Sequence, residues 1–204
     1  MKKSLWSAML GSIALALAVP GPAQAQFSDN YNFLKAVKDK DGQKVTDLIQ
    51  KPGSTVINSR DVSTGENALH ITVARRDPTW LTFLLAKGAN PNLTDNDGNT
   101  PLMEAVQGRF EEGVRTLIAY KAQVDKVNGS GETPLIRAVQ LRDLGLVRLL
   151  VAQGANPDKR DTIAGMSARD YAARDGRTPG LMEALDAAKT STAKPAGPVQ
   201  GPVF

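Results

Sequence analysis

The sequence predicts an all-α solenoid of about four to five stacked units, each made of two antiparallel helices and a projecting β-turn or hairpin loop. The first observation is a repeated phrase, Gly-x-Thr-Pro-Leu or a close variant, whose glycines Gly65, Gly98 and Gly131 lie 33 residues apart. The second is the phrase Gly-Ala-Asn-Pro, which occurs at Gly88 and again two such periods later at Gly154. A repeat of this length marks a supersecondary unit that buries its apolar face only against its neighbours.

Each unit is predicted to begin with a short inner helix. Thr100 and Thr133 are residue types that cap a helix N-terminus, and the proline after each suits the first turn, where its missing N–H costs nothing. A second helix with larger apolar side chains follows, and Gly88 stands where that helix must end in a left-handed turn. Within the inner helix, apolar residues recur at helical spacing, as in Leu102, Ala105 and Val106.

These phrases resemble the ankyrin repeat, which has this period and the motifs Thr-Pro-Leu-His-x-Ala and Gly-Ala-Asp or Gly-Ala-Asn. The resemblance implies a non-enzymatic module that uses no cofactor and binds a protein partner through its hairpin tips and concave inner helices. It also implies that His70, the single histidine, braces turns by hydrogen bonding and is neither a catalytic base nor a metal ligand. The resemblance covers about residues 28–189 and implies a repeat domain of residues 26–189, in units of about 28–60, 61–93, 94–126, 127–159 and 160–189.

The hairpin tips supply the candidate protein-binding positions that the resemblance implies. Carried onto this chain, they are Ser63, Thr64, Glu66, Thr94, Asn96, Asp97, Asn99, Val127, Gly129, Ser130, Glu132, Ile163 and Met166. The tips become more apolar toward the last unit. Val127, Ile163 and Met166 form either a small binding patch or the cover of an irregular last repeat, and the sequence leaves both explanations open.

A basic residue recurs once per unit at the end of the inner helix, where the ankyrin motif usually has glycine. This basic ladder consists of Lys40, Arg76, Arg109 and Arg142, with its arginines 33 residues apart. It would suit an acidic segment of a partner, because guanidinium groups bind carboxylates strongly. The simpler hypothesis is helix capping, since a cation near a helix C-terminus contributes about 0.3–1 kcal/mol without any partner. The sequence does not decide between the two.

Residues 1–25 have the pattern of a cleavable secretory signal peptide. Lys2 and Lys3 precede an apolar run from Leu5 to Val19, and Ala23-Gln24-Ala25 forms a small-x-small cleavage site. The run is shorter than the roughly 20 residues of a membrane-spanning helix. We therefore expect export to a bacterial periplasm, or beyond it to the extracellular space. The mature chain would begin at Gln26 and have no membrane anchor.

Composition narrows the chemistry further. The absence of cysteine and the presence of a single histidine exclude disulfides, Cys-based zinc sites and multi-histidine metal sites. Removing Lys2 and Lys3 lowers the net charge from +4 to +2, which gives little reason to expect a nucleic-acid partner. We expect a monomer that is not an enzyme. The alternatives are a hydrolase or metal-binding protein with an unrecognised site, and a secreted effector directed at a host.

The C-terminal segment 190–204 has a different composition from the repeats. It contains three prolines and two glycines and few residues that could pack against a core. Such a segment cannot bury enough apolar surface to offset the entropy of ordering it. The sequence therefore predicts a disordered tail.

Overall fold

The computed structural model describes residues 22–191, together with the side chains of residues 29–186. Within this range the chain forms ten α-helices in five consecutive pairs, of which we call the first member inner and the second outer. The pairs are α1 (Pro22–Asp39) and α2 (Gly42–Gln50), α3 (Ala68–Ala74) and α4 (Pro78–Ala86), α5 (Pro101–Gln107) and α6 (Glu111–Ala119), α7 (Pro134–Gln140) and α8 (Leu144–Ala152), α9 (Ala168–Asp175) and α10 (Leu181–Ser191). This is the all-α repeat solenoid that the sequence predicts.

The inner helices begin where a polar side chain satisfies free backbone N–H groups. Thr100 and Thr133 each accept a hydrogen bond at 3.2 Å from the backbone N–H three residues further on. Asn67 takes this place in the second unit, where its Oδ1 accepts from the N–H groups of Leu69 and His70. The repeated Thr-Pro phrase therefore marks the first turn of each inner helix, and Asn67 is a working substitute for the threonine.

Apolar side chains fill the space between successive pairs. Leu102, Leu117, Leu135 and Leu150 are all fully buried. The inner helices pack side by side, α3 on α5 and α5 on α7, and fully buried alanines such as Ala105 let them approach closely. Burying one leucine stabilises a fold by about 1.5–3 kcal/mol. Since each pair covers the next, the core is continuous from one end of the solenoid to the other.

The hairpin loops between the pairs form a row linked by backbone hydrogen bonds. Asn96 N–H donates to the Thr64 carbonyl at 3.0 Å, and Gly129 N–H donates to the Asp97 carbonyl at 2.8 Å. Gly98 has a φ of +80°, and a Cβ at this position would lie 2.6 Å from the backbone nitrogen of Gly129. Neighbouring tips therefore approach so closely that only glycine fits between them.

The two ends of the solenoid differ from the predicted boundaries. α1 begins at Pro22, ahead of the expected unit start at residue 28 and of the expected mature N-terminus at Gln26. α10 continues to Ser191, so the first two residues of the predicted tail 190–204 are helical. The reason is local, because neither helix contains a glycine or proline after its start that would end it. The part of the predicted signal peptide up to residue 21 and the part of the predicted tail from residue 192 lie outside the described residues.

Candidate protein-binding surface

The four residues of the basic ladder share an unusual backbone conformation. Lys40, Arg76, Arg109 and Arg142 have left-handed φ angles of 59°, 52°, 51° and 56°. This conformation costs a non-glycine residue roughly 1–2 kcal/mol, which is the physical reason that the repeat usually has glycine here. The ladder is therefore maintained against a local cost, and its side-chain contacts are expected to offset part of it.

Each ladder side chain reaches forward to the next unit. Lys40 Nζ lies 2.7 Å from Asp77 Oδ2, and this hydrogen bond holds the pKa of Asp77 below its usual value. Arg109 Nη2 donates to the Leu141 carbonyl at 2.6 Å, and Arg109 Nη1 lies 3.3 Å from Asp143 Oδ2. The remaining two members donate in the same direction: Arg76 to the Gly108 carbonyl, and Arg142 to the Asp175 carboxylate.

The contacts of the three arginines correct the capping hypothesis in one respect. Arg76 and Arg109 donate to the carbonyls of Gly108 and Leu141 at the C-terminal ends of α5 and α7, so each caps the inner helix of the following unit and not its own. Arg142 instead pairs with the side chain of Asp175, the last residue of α9. The ladder cations are about half exposed, yet they already have partners within the chain. This arrangement favours an intramolecular clamp between units over a free recognition stripe.

The two middle tips present their candidate residues to different degrees. Asn96, Asp97 and Gly129 are exposed, whereas the others are partly buried: Thr94, Asn99, Val127, Ser130 and Glu132. Asp95 Oδ1 fixes the first of these loops by accepting from Asp97 N–H at 3.0 Å and Asn99 N–H at 2.7 Å. The tip row is thus rigid and polar.

Glu132 is a candidate of the middle tips whose carboxylate is already engaged within the chain. Its carboxylate forms a close ion pair with Arg137 of α7 and accepts a hydrogen bond from Gln140 Nε2 at 2.9 Å. Ser130, in the same tip, accepts at its carbonyl from Thr162 N–H at 3.1 Å. Ser130 therefore links two units, whereas Glu132 is held within its own unit, and both are less available to a partner than Asn96 or Asp97.

The first and last tips are one residue longer than the two between them. Backbone hydrogen bonds close them over residues 61–66 and 161–166, compared with 95–99 and 128–132 in the middle. The extra residue lengthens the loop, and an apolar side chain projects from each: Val62 is 81% exposed and Ile163 is 79% exposed. The longer loops therefore leave one exposed apolar side chain at each end of the tip row.

The remaining candidates lie on these two longer tips. Ser63 and Thr64 are exposed, and Glu66 is partly buried. Hydrogen bonds from Ser63 and Thr64 to Asp61 order the loop and lower the pKa of the Asp61 carboxyl below its usual range. At the other end Met166 is partly covered, as is Val127 of the preceding tip, so Ile163 is the most exposed member of the predicted apolar patch.

His70 is fully buried between the second and third units. Its Nδ1 accepts a hydrogen bond from Asn67 N–H at 3.2 Å, and its Nε2 lies 3.1 Å from the Asn99 carbonyl of the next tip. Burial lowers the pKa of the imidazole, so the ring is neutral near pH 7. Both ring nitrogens are engaged, which is the turn-bracing role predicted from the sequence.

The charges of two carboxylates, Glu66 and Asp95 of successive tips, act on both His70 and Glu104 of α5. None of the three forms a salt bridge with any residue between 29 and 186. Glu104 Oε2 is buried without a hydrogen-bond partner, and burial, together with the charges of Glu66 and Asp95, raises the pKa of Glu104 to about 7. The Glu104 carboxyl is therefore only partly ionised near pH 7, and Asp95 accepts hydrogen bonds from the backbone of its own loop.

A groove of about 500 Å³ lies between α1 and the first hairpin tip. Its apolar lining comes from Tyr31, Leu34 and Val62, of which Tyr31 is 69% exposed and Leu34 is buried. The groove exists because α1 has 18 residues, whereas α3, α5 and α7 have seven. The longer α1 therefore lies beside the first tip, in the place where each later tip is flanked by the preceding hairpin. Sequence reasoning missed it, although the missing turn residues ahead of Phe33 were a signal.

Two classes of feature are absent from the part of the chain that the structure describes. No helix there has the length and hydropathy needed to cross a membrane. Among the same residues, no group of three or more histidine, aspartate or glutamate side chains is placed to hold a metal ion.

Comparison with known families agrees with the repeat phase. The model for "Ankyrin repeats (3 copies)" matches residues 33–128 and again residues 69–161, which together span more than half of the chain. The chain belongs to the ankyrin-repeat family. Ankyrin repeats form a scaffold for protein–protein interaction, and nothing in the match points to catalysis.

Individual relatives share only part of their length with this ankyrin-repeat chain. A protein of Fowlpox virus (strain NVSL), named as an ankyrin repeat protein, is 33% identical over 103 residues, which are 50% of this chain and 30% of the relative. The nuclear factor NF-kappa-B p110 subunit of Drosophila melanogaster is 42% identical over 52 residues, 26% of this chain and 5% of the relative. A protein of Acanthamoeba polyphaga mimivirus, also named as an ankyrin repeat protein, is 55% identical over 40 residues, 20% of this chain and 10% of the relative. The chain thus spans less than a third of each relative.

Proposed function

We propose that this ankyrin-repeat chain is exported to the bacterial periplasm and binds a protein partner there as a non-enzymatic monomer. The tip row supports partner binding, because backbone hydrogen bonds fix its loops while the side chains of Ser63, Asn96 and Asp97 stay at the surface. A surface that is ordered before binding loses little conformational entropy when a partner docks. The carboxylates of Asp95 and Asp97 in the same tip row would repel the phosphates of a nucleic acid, which favours a protein partner.

Photo-crosslinking in cells tests the proposed binding surface. One variant carries a photoreactive amino acid in place of Asp97 at a tip, and a matched control carries it in place of Arg148, an exposed residue of the outer helix α8. We expect a discrete crosslinked species with the Asp97 variant and none with the control. Crosslinks at position 148 alone, or equal labelling at both positions, would contradict binding through the tips.

Export is tested independently at the N-terminus. The basic and apolar segments of residues 1–25 and the small residues Ala23 and Ala25 support cleavage before Gln26. N-terminal mass analysis of protein from the periplasmic fraction should show a chain that starts at Gln26. A chain that keeps Lys2 and Lys3, or that stays in the cytoplasmic fraction, would contradict export.

A further inference from the structure

We propose that Asn128 is a latent deamidation site, which the contact between the two middle tips keeps unreactive and which becomes reactive when those tips separate. The inference goes beyond the proposed scaffold function, because the chemistry needs neither a partner nor a cofactor. It rests on the dipeptide Asn128-Gly129 and on the hydrogen bond that Gly129 N–H donates across the tips to the Asp97 carbonyl at 2.8 Å.

The dipeptide Asn128-Gly129 has the chemistry of spontaneous amide loss. The backbone nitrogen of Gly129 bonds to the side-chain carbonyl carbon of Asn128, the bond from that carbon to Nδ2 breaks, and Nδ2 leaves as ammonia with the proton of the attacking N–H. Water then opens the cyclic imide at either carbonyl, which yields aspartate or isoaspartate. Glycine favours the ring closure because it has no Cβ to crowd it. Asn128 is the one asparagine in the sequence that glycine follows.

The packing of the tips is the reason that glycine follows Asn128. A Cβ on Gly129 would lie 2.7 Å from the Asp97 carbonyl oxygen, and a Cβ on Gly98 would lie 2.6 Å from the Gly129 nitrogen. The two tips reach this separation only if neither residue has a side chain. The close contact between the third and fourth units therefore requires a glycine in the position that makes Asn128 labile.

The hydrogen bonds at this site divide into those within the tip and one that crosses to the next tip. Asn128 Oδ1 accepts from Ser130 N–H at 3.0 Å and from Glu132 N–H at 3.1 Å, and these donors stay with Asn128 when the tips separate. They draw electron density from the carbonyl carbon that is attacked. The Gly129 nitrogen must lose its proton to attack, and its bond to Asp97 holds that proton. Separation of the tips therefore frees the nucleophile while the electrophile stays polarised.

Deamidation would weaken the contact that prevents it. Asn128 Nδ2 donates to Asn99 Oδ1 at 3.3 Å and to Glu132 Oε2 at 3.4 Å. An aspartate would place an acceptor against both oxygens and a like charge beside Glu132. Isoaspartate would add a carbon atom to the backbone of the tip. Either product holds the third and fourth units together less well, so the reaction marks irreversibly a chain whose units have come apart.

Two glycine variants test the role of the contact. The purified protein is kept in mildly alkaline buffer, and peptide mass spectrometry follows the conversion of Asn128. Gly98→Ala is the test variant, because its Cβ would meet the backbone of Gly129. Gly65→Ala is the matched control from the preceding repeat: its φ of +74° compares with +80° at Gly98, and its Cβ would meet Asn96. Both changes introduce similar strain, but only Gly98→Ala opens the junction that covers Asn128.

We expect wild-type Asn128 to deamidate at least about tenfold more slowly in the folded protein than in urea-unfolded protein, because the open form alone reacts. Gly98→Ala should raise the rate in the folded protein about tenfold, and Gly65→Ala less than about threefold. A second measurement uses the wild type alone. Urea below the unfolding transition should raise the deamidation rate and the hydrogen exchange of Gly129 N–H in parallel.

Four results would overturn the proposal. Equal rates in folded and unfolded wild type would show that packing does not suppress the reaction. Equal acceleration by Gly98→Ala and Gly65→Ala would show that the rate follows overall stability and not this contact. A deamidation rate that stays constant while Gly129 exchanges faster would separate the reaction from the hydrogen bond. An Asn128→Asp variant as stable as the wild type would contradict the loss of contact after the reaction.

Discussion

Replacement of the three ladder arginines should separate the cost of their backbone conformation from the contribution of their contacts. In one variant Arg76, Arg109 and Arg142 all become Gln, and in a second all three become Gly. Glutamine keeps a Cβ, and with it the strain of a φ near 51–56°, but loses the charge. Glycine loses the same contacts and relieves the strain, because it adopts left-handed conformations without a steric penalty.

The expected magnitudes follow from exposure and geometry. Arg109 and Arg142 are about half exposed, so their ion pairs with Asp143 and Asp175 are screened by solvent. We assign about 0.5–1 kcal/mol to the contacts of each arginine, and therefore about 1.5–3 kcal/mol to the triple Gln variant. Relief of the left-handed strain should raise the free energy of unfolding by about 1 kcal/mol for each glycine. The triple Gly variant should then be as stable as the wild type or up to about 1.5 kcal/mol more stable.

Urea unfolding followed by circular dichroism at 222 nm measures both variants. We expect the Gln variant to be the less stable of the two, with a deficit that shrinks between about 50 and 500 mM NaCl as the ion pairs are screened. A Gly variant as unstable as the Gln variant, or a Gln variant equal to the wild type, would refute the clamp. If both variants keep the crosslink at Asp97, recognition by the ladder is also excluded.

Three further changes probe stacking and charge. Gly98→Ala should lower the free energy of unfolding in urea by about 2–4 kcal/mol, because the new Cβ meets the backbone of Gly129. Gly154 has a φ of +87° but open space around it, so Gly154→Ala should cost only about 1–2 kcal/mol. Equal losses would contradict close packing of the tips. Leu117→Ala should lower the free energy of unfolding by about 2–5 kcal/mol and weaken hydrogen-exchange protection in the units on both sides. Loss of protection confined to residues 100–126 would argue against coupling between the units. Burial raises the pKa of Glu104 from 4.5 in the unfolded chain to about 7 in the folded protein, so between these values the folded protein holds a proton that the unfolded chain releases. The free energy of unfolding should therefore fall as pH rises from about 4.5 to about 7. Glu104→Gln should remove this fall and add about 1–2 kcal/mol at pH 8, and an unchanged pH profile would refute the explanation.

The sequence was sufficient for the elements that short-range rules control. The 33-residue phase predicted the stacked pairs, the threonines of the Thr-Pro phrase predicted helix starts, and Gly88 and Gly154 predicted left-handed turns that the structure has at φ of +92° and +87°. These features depend on backbone conformation and on capping groups within a few residues, so a single repeat contains the information. The fully buried Leu117 follows from the same periodicity.

Contacts between units were decided only in three dimensions. The basic ladder was visible as a period, but the sequence could not show that Arg109 reaches Leu141 and Asp143 of the next unit, because that depends on how far one pair is offset from another. The groove at Tyr31 and Val62 likewise arises where a long helix meets a longer loop, and the raised pKa of Glu104 depends on its burial and on carboxylates from two other segments. A repeating sequence determines the unit and its stacking partner, whereas the surface formed between units depends on side chains about 33 residues apart whose distances only the packed solenoid sets.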